Sequence, residues 1–166
     1  MSTQAIDTRE FRNALGQFPT GVTVITTLDA AGNKIGMTAN SFTSVSLDPM
    51  LVLWSVAKTC KAFDAFAESK HFAIHVLNIN QKHISAQFAS NCDDRFKDIE
   101  HIEGHGGIPV LADYSAVFQC DTERLYDGGD HVILLGRVVA FDNKKLPPLV
   151  FHAGRYADLD QPVVAV

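Results

Sequence analysis

The sequence predicts a mainly β protein: an antiparallel barrel with two or three short helices lying against it, in preference to a doubly wound parallel sheet. Three observations lead there. Six or seven runs are rich in β-branched or apolar residues, several are joined by hairpin turn chemistry, and helical spacing appears only in brief stretches between them. At 166 residues, 46% hydrophobic and 20% charged, the chain has the size and composition of one domain over 1–166, with its core from about 9 to 158.

Asp7 or Thr8 is placed to cap a leader helix through Glu10, Phe11, Ala14 and Leu15, with Gly16 expected to take the left-handed turn that ends it. Residues 22–27 are dense in Val, Ile and Thr, and 29–33 supply a turn before Lys34-Ile35 resumes, which reads as a hairpin. Residues 38–47 continue the β pattern with small and hydroxyl side chains until Asp48-Pro49 breaks it. Residues 50–56 are continuously apolar, as in a strand buried on both faces. A helix is expected from about Cys60 to Ser69, where Ala62, Phe63, Phe66 and Ala67 fall at helical spacing; 72–77 returns to strand and 81–88 to helix. From Asn91 to Pro109, charge and glycine predict an irregular surface loop with weak helix near 95–98. Residues 115–126 and 131–142 are two long strands joined by Asp127-Gly128-Gly129-Asp130, whose glycines suit a tight turn. Beyond Pro147-Pro148, a short strand at 149–151 and Gly154-Arg155-Tyr156 finish the ordered part.

Composition excludes several classes of function. A net charge of -5 leaves no basic excess for nucleic acid or an anionic membrane surface. Cys60, Cys92 and Cys120 are widely spaced and odd in number, which argues against a disulfide framework and against a cysteine zinc site. No run reaches the roughly 18 apolar residues of a membrane span, and residues 1–7 lack a signal pattern, so the expectation is a soluble cytoplasmic protein. There is no G-x-G-x-x-G turn, phosphate-loop lysine, Gly-x-Ser-x-Gly elbow or His-Glu-x-x-His helix, which removes the ordinary dinucleotide, nucleotide, hydrolase and zinc-protease folds. His101 and His105 have a helical ligand spacing, but Gly104, Gly106 and Gly107 favour a solvated loop with no metal.

Three features retain chemical interest. Met37-Thr38-Ala39-Asn40-Ser41-Phe42-Thr43-Ser44-Val45-Ser46 is either an ordinary exposed strand face or a surface whose hydroxyls and approachable N–H groups hold a phosphate or a heterocycle edge. Lys58, Thr59 and Lys61 straddle the expected helix start near Cys60, where the macrodipole favours an anion such as a phosphate, the alternative being a plain capped helix. His131 follows Asp130 at a hairpin, either as an idle surface imidazole or placed to orient a cofactor amide.

The motifs Phe18-Pro19-Thr20-Gly21-Val22-Thr23-Val24, Gly36 to Pro49 and Gly129-Asp130-His131 closely resemble the flavin reductase family, the short-chain reductase components of two-component flavin-dependent monooxygenases. The likeness runs in order from about Phe11 to Tyr156, through Ser85-Ala86-Gln87-Phe88-Ala89 and Gly154-Arg155-Tyr156. The resemblance implies an FMN-binding, Greek-key split β-barrel, homodimeric, with one flavin per subunit near the interface. It implies reduction of FMN or FAD by NADH or NADPH, and a partner monooxygenase that receives the reduced flavin by diffusion and hydroxylates an aromatic compound.

By the same resemblance, Met37, Thr38, Ala39, Asn40, Ser41, Phe42, Ser44, Val45 and Ser46 form the flavin-contacting strand. Trp54, Ser55, Val56, Lys58, Thr59, Cys60 and Lys61 complete the cofactor site with Gln87 and Phe88. His131, the one catalytic candidate, lies with Tyr156 toward the nicotinamide, and Thr20 and Gly21 line that cleft. Read from its chemistry alone, Arg155 either meets a 2′-phosphate or is a surface arginine beside a strand end. His75 departs from the family, which commonly has asparagine there, and the 91–107 stretch has no assigned role. A non-catalytic FMN-binding module and a ferric or cobalt reductase on the same fold stay open as alternatives.

Overall fold

The computed structural model describes residues 7–159. Its helices are few and short: α1 (Thr8–Leu15), α2 (Phe63–Glu68) and α3 (Lys82–Ala89). The first seven strands are β1 (Thr20–Gly21), β2 (Thr23–Leu28), β3 (Lys34–Ala39), β4 (Thr43–Leu47), β5 (Met50–Ala57), β6 (His71–Val76) and β7 (His101–Glu103). They are followed by β8 (Pro109–Leu111), β9 (Ala116–Gly128), β10 (His131–Asn143), β11 (Val150–His152) and β12 (Arg155–Ala157). Seven of them form one antiparallel sheet in the order β3-β2-β6-β9-β10-β5-β4, while β1-β11-β12 and β7-β8 make two smaller sheets. The mainly β expectation is met.

Local chemistry accounts for most boundaries. The Asp7 carboxylate accepts from the Arg9 N–H and caps α1. The Asp29 carboxylate accepts the N–H groups of Ala31 and Asn33 and so closes the β2–β3 turn, where Gly32 has φ +82°. The β9–β10 hairpin turns at Gly129, φ +80°. The main core packs Ile25, Trp54, Val56, Phe66, Phe72, Ile74 and Leu134, with Trp54 edge-on to Phe66 at 4.8 Å between centroids. A second cluster, Val22, Val24, Leu77, Ile84, Phe88 and Phe96, binds α3 and the segment after it to the sheet.

Five expectations need correction. Gly16 ends α1 in right-handed geometry at φ -65°, because its N–H still bonds back to the Arg12 carbonyl. β5 is buried on one face only: Val52, Trp54 and Val56 alternate with half-exposed Leu51, Leu53 and Ser55, so its uniform apolarity has a second use. The run 38–47 is two strands on opposite edges of the sheet, divided at Asn40–Phe42. α2 begins at Phe63, not near Cys60, leaving the Lys58–Lys61 stretch as turn. The 91–109 segment holds the β7–β8 hairpin, with only turn at 95–98; Val110 and Ile108 anchor it in a small core with Ala73 and Val117, a long-range contact that local composition does not signal.

Candidate functional site

Two cavities follow one another along β3 and a third lies beyond its end. The first, about 290 Å³, is lined by Lys34, Gly36, Lys61, Cys92, Asp93 and Arg95, with Asn91 beside them. The second, about 220 Å³, lies between β3 and α3: the Thr38 hydroxyl donates to the Ser85 carbonyl at 2.7 Å, and the Tyr156 hydroxyl donates to the Ser85 hydroxyl at 2.9 Å. Asn40 and Phe151 lead from it into a hollow of about 620 Å³ beside α1 that includes Thr20, whose hydroxyl is buried without a partner. Such an orphaned group is a point where a ligand can add a hydrogen bond.

Gly36 lets β3 lie this close to α3, since an added Cβ would sit 2.4 Å from the Phe88 ring. Arg95 then folds the next segment over the strand. Its Nη1 donates to the Gly36 carbonyl at 2.8 Å, while Nε and Nη2 donate to the Ser90 carbonyl at 3.0 and 2.7 Å. Gln87 holds the same segment by donating to the carbonyls of Arg95 and Lys97 at 3.0 and 2.8 Å. Lys34, Asn91 and Arg95 were not expected at the site. The available signal was a single arginine after Asp93-Asp94, directly beyond α3, where a solvated acidic loop has no need of one.

The expected site residues divide into groups. Thr38, Ala39 and Asn40 line the middle cavity with Tyr156, and Lys61 lines the basic one. Ser41 buckles the β3–β4 corner onto β5, its hydroxyl donating to the Ser55 carbonyl at 3.0 Å and accepting the Ser55 N–H at 2.9 Å. Phe42, Ser44 and Ser46 instead face an apolar hollow with Leu47, Met50, Phe118 and Phe141. Trp54, Val56 and Phe88 are fully buried, so their side chains serve the core and only their backbone is left for a ligand. Met37 and Cys60 pack against the main core, Val45, Thr59 and Gly21 are exposed, and Arg155 is exposed at the start of β12.

Lys58 does not join Lys61. Its ammonium pairs with Asp127 on the β9–β10 hairpin, holding that carboxyl below its ordinary range through the hydrogen bond and the charge, and its N–H donates to the Asp130 carbonyl at 2.9 Å. His131 opens β10 opposite Ala57, half-buried, with Nδ1 2.7 Å from the Asp130 carboxylate, which this contact also keeps below its usual range. Within the chain, His131 therefore belongs with the Lys58 turn, while Tyr156 belongs with Ser85 and Thr38.

Fold and cavities together define a class: a mainly β protein with a polar, cation-rich cleft along one sheet edge. The chain belongs to the family of the flavin reductase like domain, whose model matches residues 15–160. It is 45% identical over 156 residues to a probable flavin reductase of Rhizobium meliloti, covering 94% of this chain and 50% of the relative, so it spans half that protein's length. It is 38% identical over 161 residues to the flavin-dependent monooxygenase reductase subunit HsaB of Rhodococcus jostii, covering 96% of this chain and 82% of the relative. Among solved structures, the Streptomyces globisporus NADH:FAD oxidoreductase SgcE6, in complex with NAD and FAD fragments, superposes with a TM-score of 0.86 at 36% identity, over 95% of this chain and 97% of that one.

Proposed function

We propose that the chain reduces FMN or FAD with NADH or NADPH and releases the reduced flavin to a separate flavin-dependent monooxygenase. One observation carries the reading: a cavity lined by Lys34, Lys61 and Arg95 against the single carboxylate of Asp93 adjoins a hydroxyl-lined cavity along β3, in a chain of the flavin reductase family. The donor set fits a flavin. Lys34, Lys61 and Arg95 suit its phosphate, the hydroxyls and N–H groups around Thr38–Asn40 suit a ring edge, and Thr20, whose buried hydroxyl has no partner, lines the adjoining hollow. Bound there, the flavin supplies the hydride-accepting chemistry, with the nicotinamide as donor.

The chain's own residues do the positioning. Arg95 and Gln87 hold residues 90–97 against the strand. Ser41 fixes the corner between β3 and β4 through both backbone groups of Ser55. His131, held by Asp130, orients the nicotinamide from the β9–β10 end. No acid–base pair is required of the protein, in keeping with a reaction whose difficult step belongs to the cofactors.

The architecture is read as a split barrel that pairs as a homodimer. An exposed apolar face supports this: Leu47 is 91% and Phe141 64% exposed, next to Met50 and the hollow walled by Phe42 and Phe118. Leu47→Glu should shift the sedimentation of the protein toward a monomer. The catalytic reading is tested by mixing the protein anaerobically with each flavin and each nicotinamide. Bleaching of the flavin is the expected result. Flavin that binds yet is bleached by neither nicotinamide would overturn it.

A further inference from the structure

We propose that His71, His105 and Asp121 form a binding site for one divalent metal ion of the zinc class, which clamps the β7–β8 turn onto the end of the main sheet. The three residues come from separate elements. His71 opens β6, Asp121 lies directly opposite it on β9, and His105 sits in the turn between β7 and β8. His71 Nδ1 is 2.8 Å and His105 Nε2 is 2.7 Å from the same Asp121 oxygen, and all three ligand atoms lie within 4.8 Å of one another. The two imidazoles meet edge to face at 4.6 Å between centroids, and one nitrogen of each contacts the same carboxylate oxygen.

The surroundings are shaped for this convergence. Gly106 has φ +65°, and a Cβ there would fall 2.2 Å from His71 Cδ2, so only glycine lets the turn approach the ring. At Gly104 an added Cβ would lie 2.5 Å from Gln119 Oε1, the atom that accepts the His105 N–H at 2.7 Å. The His71 carbonyl lies 2.7 Å from both the Thr27 and the Ser69 hydroxyls, which are hydrogen-bonded to each other at 2.5 Å, so this cluster fixes His71 at its backbone. These contacts fix, on either side of the Asp121 carboxylate, the backbone from which the two imidazoles project.

Donor chemistry selects the ion. Two imidazole nitrogens and one carboxylate oxygen suit Zn²⁺, Co²⁺ or Ni²⁺ rather than Ca²⁺ or Mg²⁺, which require oxygen sets. Bonds of about 2.0–2.1 Å place tetrahedral ligand atoms roughly 3.3 Å apart, so accepting the ion requires the present contacts to open by about 0.5 Å. The glycine turn that carries His105 can supply that movement. The side chains of His71, His105 and Asp121 are 32%, 39% and 42% exposed, which leaves an access path and a fourth corner for water. The nearby cation, Arg137, is engaged by both Glu123 oxygens at 2.9 and 2.8 Å and so does not compete for Asp121. None of the three residues lines the two cavities along β3 or the third beyond its end, so the site is distinct from the proposed flavin cleft.

The test uses the full chain, stripped with a chelator and titrated with Zn²⁺, with Co²⁺ as a spectroscopic probe. The expected result is one ion per chain, visible ligand-field bands with Co²⁺, and a Tm that rises with Zn²⁺ concentration. His71→Ala and His105→Ala should each weaken binding at least about tenfold and abolish the Tm rise. If His71→Ala fails to fold, His105→Gln in the exposed turn carries the same comparison. No stoichiometric binding at micromolar Zn²⁺, or binding unchanged by either His105 substitution, overturns the proposal and leaves a hydrogen-bonded clasp.

Discussion

His75 should make the protein lose stability on mild acidification. The side chain is wholly buried, with Nδ1 3.0 Å from the Val24 carbonyl and Nε2 3.1 Å from the Leu111 N–H. A carbonyl can only accept and an N–H only donate, so Nδ1 carries the hydrogen and Nε2 a lone pair. A second proton would put two N–H groups face to face. Burial accordingly lowers the imidazole from its ordinary 6.5 to about 4, against a smaller opposing effect of the Val24 hydrogen bond. Because the folded value lies below the unfolded one, stability is full above pH 6.5 and falls until the folded group itself titrates near pH 4. The whole window is worth on the order of 3 kcal/mol, and the part down to about pH 5 about 2 kcal/mol. Urea unfolding at about pH 7.5 and about pH 5 measures this, with His75→Asn as the pH-silent comparison. The wild type should lose about 2 kcal/mol more than the variant between the two conditions. Equal losses would refute the reasoning, as would an NMR titration in which the His75 ring protonates in the folded protein at its ordinary pH.

Lys61→Ala removes one cation from the basic cavity and should weaken flavin binding about tenfold, read by fluorescence titration, with no change in melting temperature because the residue is exposed. His131→Ala should slow anaerobic flavin reduction while leaving flavin affinity unchanged; equal loss of both would move the residue from the nicotinamide to the flavin. Gly36→Ala drives a methyl group to 2.4 Å from the Phe88 ring and should cost about 1–3 kcal/mol in chemical denaturation, since β3 must lift from α3.

What could be read from the sequence was local. Hydrogen-bonded turns at Asp29–Asn33 and around Gly129, the cap at Asp7 and the β-branched runs stand where their residue types place them, because those preferences act over a few residues. The hydroxyl-rich stretch after Gly36 was legible as unusual, but its division at Asn40–Phe42 between two sheet edges was not: period-two patterning continues across a corner without marking it. Trp54, Val56 and Phe88 were read into the site from motif position, whereas alternation along β5 and packing under Gly36 send their side chains to the core. Only tertiary structure brought Arg95 to Gly36, Tyr156 to Ser85 and His71 to His105 and Asp121. Those contacts join residues separated by 59, 71, 34 and 50 positions. Pairing register and packing choose such partners, and no local residue pattern encodes them.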